Sequence, residues 1–286
     1  MTLELKHGPF SLTLSPEHGG SVLSFKRNAT DILRPTPPDL LETWAGTAKG
    51  FAAFPMVPFT SRITNGAFTS GDHTIKLPAN MPPEPHAIHG FGWQSTWNVS
   101  QATISSVTLT HTNGGEIWPW PYTARQVFAL NDTGLSLTLH LTNHGDAPMP
   151  AGFGWHPYFP RRDAHVKAST RNVWLSSHEL ATTPADFDIS KGRAIADLNL
   201  DHVFDIVAPL QTIKWPGLTL AIESTPVFSK LIVYVPPGRD YFCVEPVTHA
   251  PDAVNSTLPN QVTGLHMLEQ GETLSGTINL TLTETP

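Results

Sequence analysis

The sequence predicts an all-β fold, a large antiparallel β-sandwich with little helix. Three observations carry that expectation. Apolar and polar residues alternate with a period of two over 10–14, 107–110, 135–142 and 277–282, the pattern of half-buried antiparallel strands. No window of a dozen residues holds apolar positions at helical spacing without an intervening proline or glycine. The 27 prolines and 21 glycines are scattered along the chain, as many short strands joined by turns require.

Individual elements follow from the same patterns. Leu231-Ile232-Val233-Tyr234-Val235 is continuously apolar and reads as a central strand covered on both faces, stopped by Pro236-Pro237-Gly238. Residues 36–48 could hold a helical turn or two. No Pro/Gly/Ser linker, internal repeat or low-complexity tract divides the chain, so one domain is expected over residues 1–286.

Composition narrows the function classes. Of 286 residues, 40% are hydrophobic and only 14% charged, which supplies a sizeable core and argues against disorder. A formal net charge of -7 gives no general attraction to phosphate backbones or anionic lipid, so neither nucleic acid nor a membrane is an expected partner. The single cysteine, Cys243, cannot form an intrachain disulfide, which fits a reducing compartment. Met1-Thr2-Leu3-Glu4-Leu5-Lys6-His7 lacks the basic and apolar regions of a signal peptide, and the apolar runs are strand-sized. The expectation is a soluble cytoplasmic protein, monomer or homodimer.

Four stretches break the alternation with clustered polar and aromatic residues. In Pro58-Phe59-Thr60-Ser61-Arg62-Ile63, Arg62 sits between apolar flanks, either as a structural ion-pair partner or as a fork of donors for a ligand oxygen. In Pro85-His86-Ala87-Ile88-His89-Gly90-Phe91-Gly92-Trp93, two histidines three apart invite a metal reading. That spacing on a strand sends the side chains to opposite faces, and no thiolate cluster is available to complete a site. Phe91 and Trp93 read as core.

His156 stands among aromatics in Gly154-Trp155-His156-Pro157-Tyr158-Phe159, a setting that usually marks a core histidine. Pro157 confines it to extended geometry, and proline in a sheet is expected at a strand end or edge, where a side chain can face a cleft. Glu245 follows an apolar segment in Tyr241-Phe242-Cys243-Val244-Glu245-Pro246 and is pinned by a proline in the same way. A buried salt bridge would explain it equally well. One pinned imidazole and one pinned carboxylate together suit general acid–base chemistry.

Taken in order, these segments resemble the aldose 1-epimerases, the galactose mutarotase-like proteins. The resemblance runs from Phe54 to Asn255. It rests on Pro58-Phe59-x-x-Arg62-Ile63-x-x-Gly66-x-Phe68, His89-Gly90-Phe91, His156-Pro157-Tyr158-Phe159, Asp201-His202-x-Phe204 and Glu245-Pro246-x-Thr248 leading to Asn255. It implies a single galactose mutarotase-like sandwich domain that interconverts the α and β anomers of a free sugar. In that picture Glu245 is the general base and His156 the general acid, while Arg62, His89 and Asp201 hold the sugar. No metal or organic cofactor is implied. Two departures bear on the sugar: Ser61 precedes the arginine where the family often has asparagine, and Pro160-Arg161-Arg162 follows the histidine motif where many galactose-type members continue with Asn-Leu.

Three other readings are compatible with the sequence. A hexose-6-phosphate 1-epimerase would need a cationic pocket, with Arg161, Arg162 and Lys167 as local candidates. A non-catalytic carbohydrate-binding protein could use the same sandwich. A cupin-like metalloenzyme would bind a metal through its His and Glu residues.

Overall fold

The structure, a computed structural model, describes residues 2–44, 46 and 50–285. Among the described residues, eighteen strands join in one antiparallel sheet that doubles back on itself. Leu3–His7 pairs with Phe10–Ser15, which pairs with Ser21–Arg27; a bridge from Val22 to Ala53 leads to the strand Ala53–Met56. Gly154–Pro160, Tyr241–Val247 and Lys230–Val235 follow in turn, and the last pairs with the first half of the long strand Leu200–Trp215. The second half of that strand pairs instead with Leu218–Ser224. From there the ladder runs through Thr273–Glu284, Gly134–Asn143, Tyr122–Asn131, Ser106–Asn113 and Asn98–Ala102.

The two halves close face to face. Leu5, Leu12 and Phe25 from the first half share one buried cluster with Phe128, Leu137 and Ile278 from the second. Lys6 N–H donates to Ile104 O at 2.8 Å, which ties the first strand to the far end of the ladder. Each of these large side chains contributes about 1.5–3 kcal/mol by leaving water.

The central strands are covered on both faces, and period-two alternation divides their side chains between two clusters. Trp155, Phe159, Leu231, Val233, Phe242, Val244 and Phe204 point into the main core. Tyr158, Val203, Ile232, Cys243 and Val247 point the other way, into a second cluster with Phe54, Met56 and Trp93. The continuous apolar run at 231–235 is therefore a central strand, as its composition indicates.

Helix is confined to single turns among the described residues. Leu40–Thr43 is one such turn in the 36–48 region, where residues 45, 47 and 48 lie outside the described residues. No helix among the described residues is long and apolar enough to cross a membrane.

Candidate active site

The second face of the central strands carries both pinned residues. Phe54 and His156 are register partners, as are Ile232 and Glu245. Between their strands the ladder pairs Gly154 with Val247 and next Tyr158 with Cys243, leaving a gap at residues 155–157. Pro157 and Pro246 both fall in this gap. Proline has no N–H to give to a ladder, so the strands part where His156 and Glu245 face each other. This corrects the expectation that Pro157 marks a strand end or edge. It lies inside a strand paired on both sides, and the local break in pairing accommodates it.

His156 Nε2 lies 3.4 Å from Glu245 Oε1, with the two side chains 9% and 1% exposed. The contact is close enough for an ion pair but is not aligned as a hydrogen bond. Both oxygens of Glu245 are buried without a hydrogen-bond partner. Among the described ion pairs His156 is its sole counter-group, so a structural bridge to Lys or Arg does not explain the acid. Burial, reinforced by the negative charge of Asp201, pushes the Glu245 carboxyl well above the usual carboxylate range. Burial, with Arg34 pushing the same way, lowers His156 to about 3. Both groups thus favour their neutral forms, in which the pair holds one proton, on Glu245.

Aromatic rings fix the imidazole. Phe54 stacks on it at 4.5 Å between centroids and Tyr158 at 4.7 Å, while His89 meets it edge-on at 5.4 Å. His89 is held by Ser61, whose backbone N–H donates to His89 Nδ1 at 3.1 Å; His89 N–H returns a bond to Ser61 O at 2.8 Å. With Nδ1 accepting, a neutral His89 carries its proton on Nε2 and offers it as a donor. Burial first, then His156 and Arg62, hold the His89 pKa well below the usual value, so the ring is neutral at pH 7.

The turn that presents His89 is strained. Ser61 and His89 both have positive φ, 54° and 60°. Gly90 follows at φ +68°, and a Cβ there would fall 1.9 Å from Val57 O, so only glycine fits.

Arg62 and Asp201 lie at the exposed rim, their nearest charged atoms 4.0 Å apart and their side chains 49% and 58% exposed. So loose a pair leaves both groups free to bind something else. Arg62 is positioned through its backbone: its strand pairs with Ala87–Ile88, and its carbonyl accepts from Asp252 N–H at 2.8 Å. Asp252 Oδ1 in turn accepts from Thr64 N–H and Asn255 Nδ2. The structure therefore brings together all five residues singled out from the sequence: Arg62, His89, His156, Asp201 and Glu245.

Other motif residues are structural. Asn255 braces the Arg62 loop, Thr248 Oγ1 accepts from Phe153 N–H at 3.0 Å, and Trp93 and Phe91 are buried. His86 accepts from Asn65 N–H, and among the described residues no group of potential metal ligands includes it with His89. Among the described residues, one trio capable of metal ligation converges, His156, Cys243 and Glu245.

Arg34 lies outside the sequence motifs but joins the site. Its guanidinium lies 4.5 Å over the Tyr158 ring and 4.7 Å over Tyr241, and it donates to Phe51 O at 2.8 Å. It precedes Pro35, the same pre-proline signal that marks His156 and Glu245. The cations considered for a phosphate are engaged elsewhere or exposed. Arg161 donates to Pro236 O, Arg162 faces Asp31, and Lys167 lies exposed on the strand His165–Trp174. A separate groove of roughly 300 Å³ beside the Arg27–Glu284 pair is lined by none of the five site residues and holds no buried titratable group.

Comparison with known proteins identifies the family and the fold. Residues 1–281 match the aldose 1-epimerase family. The chain belongs to that family. YphB of Escherichia coli K12, itself uncharacterised, is 28% identical over 264 residues, covering 87% of this chain and 88% of its own. YihR of the same organism, also uncharacterised, is 29% identical over 236 residues, 76% of this chain and 74% of its own. A putative aldose 1-epimerase from E. coli K12 superposes with a TM-score of 0.88 at 27% identity, covering 100% of this chain and 99% of that one. A galactose mutarotase-like protein from Clostridium acetobutylicum gives 0.90 at 21% identity, over 99% and 95%, a likeness of fold. The all-β epimerase sandwich is thus the galactose mutarotase-like fold.

Proposed function

We propose that this epimerase-family chain interconverts the α and β anomers of a free, unphosphorylated sugar by acid–base opening and closure of the ring. The observation that carries the reading is the Glu245 carboxyl group, 1% exposed, without a hydrogen-bond partner, 3.4 Å from a stacked imidazole. A group so costly to bury unpaired is retained where chemistry needs it.

Ring opening removes a proton from the anomeric hydroxyl and delivers one to the ring oxygen. Glu245 takes the first and His156 gives the second; the C1–C2 bond turns, and the roles reverse on closure. One shared proton suffices for the cycle. Before substrate arrives, burial keeps that proton on Glu245. Sugar hydroxyls supply the hydrogen bonds that both Glu245 oxygens lack, which favours the carboxylate and moves the proton to His156. His89 Nε2–H, Arg62 and Asp201 hold the hydroxyls. Such proton transfer supplies about 10²–10⁴-fold, with positioning adding the rest.

The engagement of Arg161 and Arg162 elsewhere favours a neutral sugar over a sugar phosphate. Anomer-exchange NMR across neutral, acidic and phosphorylated hexoses tests the proposal. Accelerated exchange of at least one neutral hexose is expected; acceleration of none, or of phosphorylated sugars alone, would contradict it.

A further inference from the structure

Cys243 lies two residues before Glu245 on one strand, so its thiol points to the same face. One ligand atom from each of Cys243, Glu245 and His156 lies within 4.8 Å of the others, and all three side chains are buried. The acid–base reading uses the carboxylate and the imidazole but has no role for the thiol. Both Glu245 oxygens are buried without a hydrogen-bond partner, and one of them lies within 4.8 Å of the sulfur.

We infer that this trio binds a borderline-soft divalent cation, Zn²⁺ being the best match, and that the bound ion switches the epimerase site off. The inference rests on the acid–base reading of Glu245 and His156. Thiolate, imidazole and carboxylate are the three donor types zinc accepts, and three protein ligands leave its fourth position open. Mg²⁺ and Ca²⁺ prefer all-oxygen shells and should not compete. Zinc–ligand bonds of about 2.0–2.3 Å place tetrahedral ligand atoms roughly 3.5 Å apart, so the trio would close by about 1 Å on binding. The ion displaces the thiol proton of Cys243 and the carboxyl proton of Glu245 to solvent, and the resulting thiolate and carboxylate balance its charge, so the filled site is neutral, as a buried site requires. With its carboxylate and imidazole lone pair both on the metal, the enzyme has neither base nor acid.

The test uses the full chain freed of metal with a chelator. Mutarotation is followed as ZnCl₂ is added, and Co²⁺ binding is followed by its thiolate charge-transfer absorption. Zinc should abolish activity, the chelator should restore it, and MgCl₂ should have no effect. Cys243→Ser should keep metal-free mutarotation near the parent rate, lose the cobalt–thiolate band, and raise the half-inhibitory zinc concentration by more than about 100-fold, since even outer-shell changes cost roughly 10–100-fold. Cys243→Ala repeats the comparison should a hydroxyl disturb so dry a position. Zinc that leaves the rate untouched, or that inhibits Cys243→Ser as strongly as the parent, overturns the inference while leaving the mutarotase reading intact. A cobalt–thiolate band that depends on Cys243, in a chain that mutarotates no sugar, supports the metal trio and overturns the acid–base reading instead.

Discussion

Glu245 and His156 meet across a gap in an otherwise continuous ladder, 3.4 Å apart, where Pro246 and Pro157 deprive both strands of hydrogen-bond donors. The relationship ties catalysis to backbone chemistry. The prolines that hold each residue in extended geometry also open the sheet between them.

The shared proton determines the pH response. Burial lowers His156 to about 3 and raises Glu245 well above its usual range, so the one-proton state spans a wide interval. kcat/KM should show no acid limb at the ordinary histidine value of about 6.5. An acid limb centred near 6.5 in the pH–rate profile would show that His156 titrates as a solvated imidazole.

The same shifts make the site a stability liability, with opposite signs for its two members. Glu245, with its folded pKa raised, binds its proton more tightly folded than unfolded. Its contribution is fully favourable below about pH 4.3 and is lost as pH rises through the folded value. Glu245→Gln should therefore raise Tm at neutral and alkaline pH, by roughly 2–4 °C for each kcal/mol recovered. His156, with its folded pKa lowered, contributes fully above about pH 6.5 and loses that contribution as pH falls toward 3. His156→Asn should flatten the acid side of the stability curve. Thermal melts at pH 5, 7 and 9 check both; a lower Tm for Glu245→Gln at pH 9 contradicts the first.

The turn carrying His89 should tolerate no side chain at Gly90. A Cβ there meets Val57 O at 1.9 Å, whereas Gly71, also at positive φ, has open space around it. Gly71→Ala should cost only the left-handed strain, about 1–2 kcal/mol. Gly90→Ala should cost at least about 2 kcal/mol more, because backbone must shift. Denaturant midpoints of the two variants measure the difference, and equal midpoints would contradict it.

Arg62 and Asp201, half-exposed and 4.0 Å apart, should matter to sugar rather than to folding. Arg62→Ala should change stability by less than about 1 kcal/mol. It should lower kcat/KM by about 10-fold or more, as expected for a lost charged hydrogen bond, mainly through KM. A large Tm loss with unchanged KM would assign the arginine a structural role.

Much of this molecule is legible in its sequence because alternation and pinning leave local marks. The leucines of 135–142 announce their strand, and Pro157 and Pro246 single out the residues before them. What the sequence does not show depends on partners distant in the chain. Nothing near Pro157 says that its strand is paired on both sides, since those partners lie about a hundred residues away in each direction. Arg34 carries the same pre-proline mark but is separated from the histidine and glutamate motifs. Only the fold places it over Tyr158 and Tyr241. Thr248 and Asn255 have the polarity of site residues, and only their hydrogen bonds reveal them as braces.

The central claim is best tested by anomer-exchange NMR on Glu245→Gln and His156→Asn, each first shown to be folded by circular dichroism and thermal melting. Each variant should lose about 10²-fold or more of kcat on the preferred sugar while its melt stays cooperative. Near-parental exchange in both folded variants would show that the two residues do not perform the chemistry.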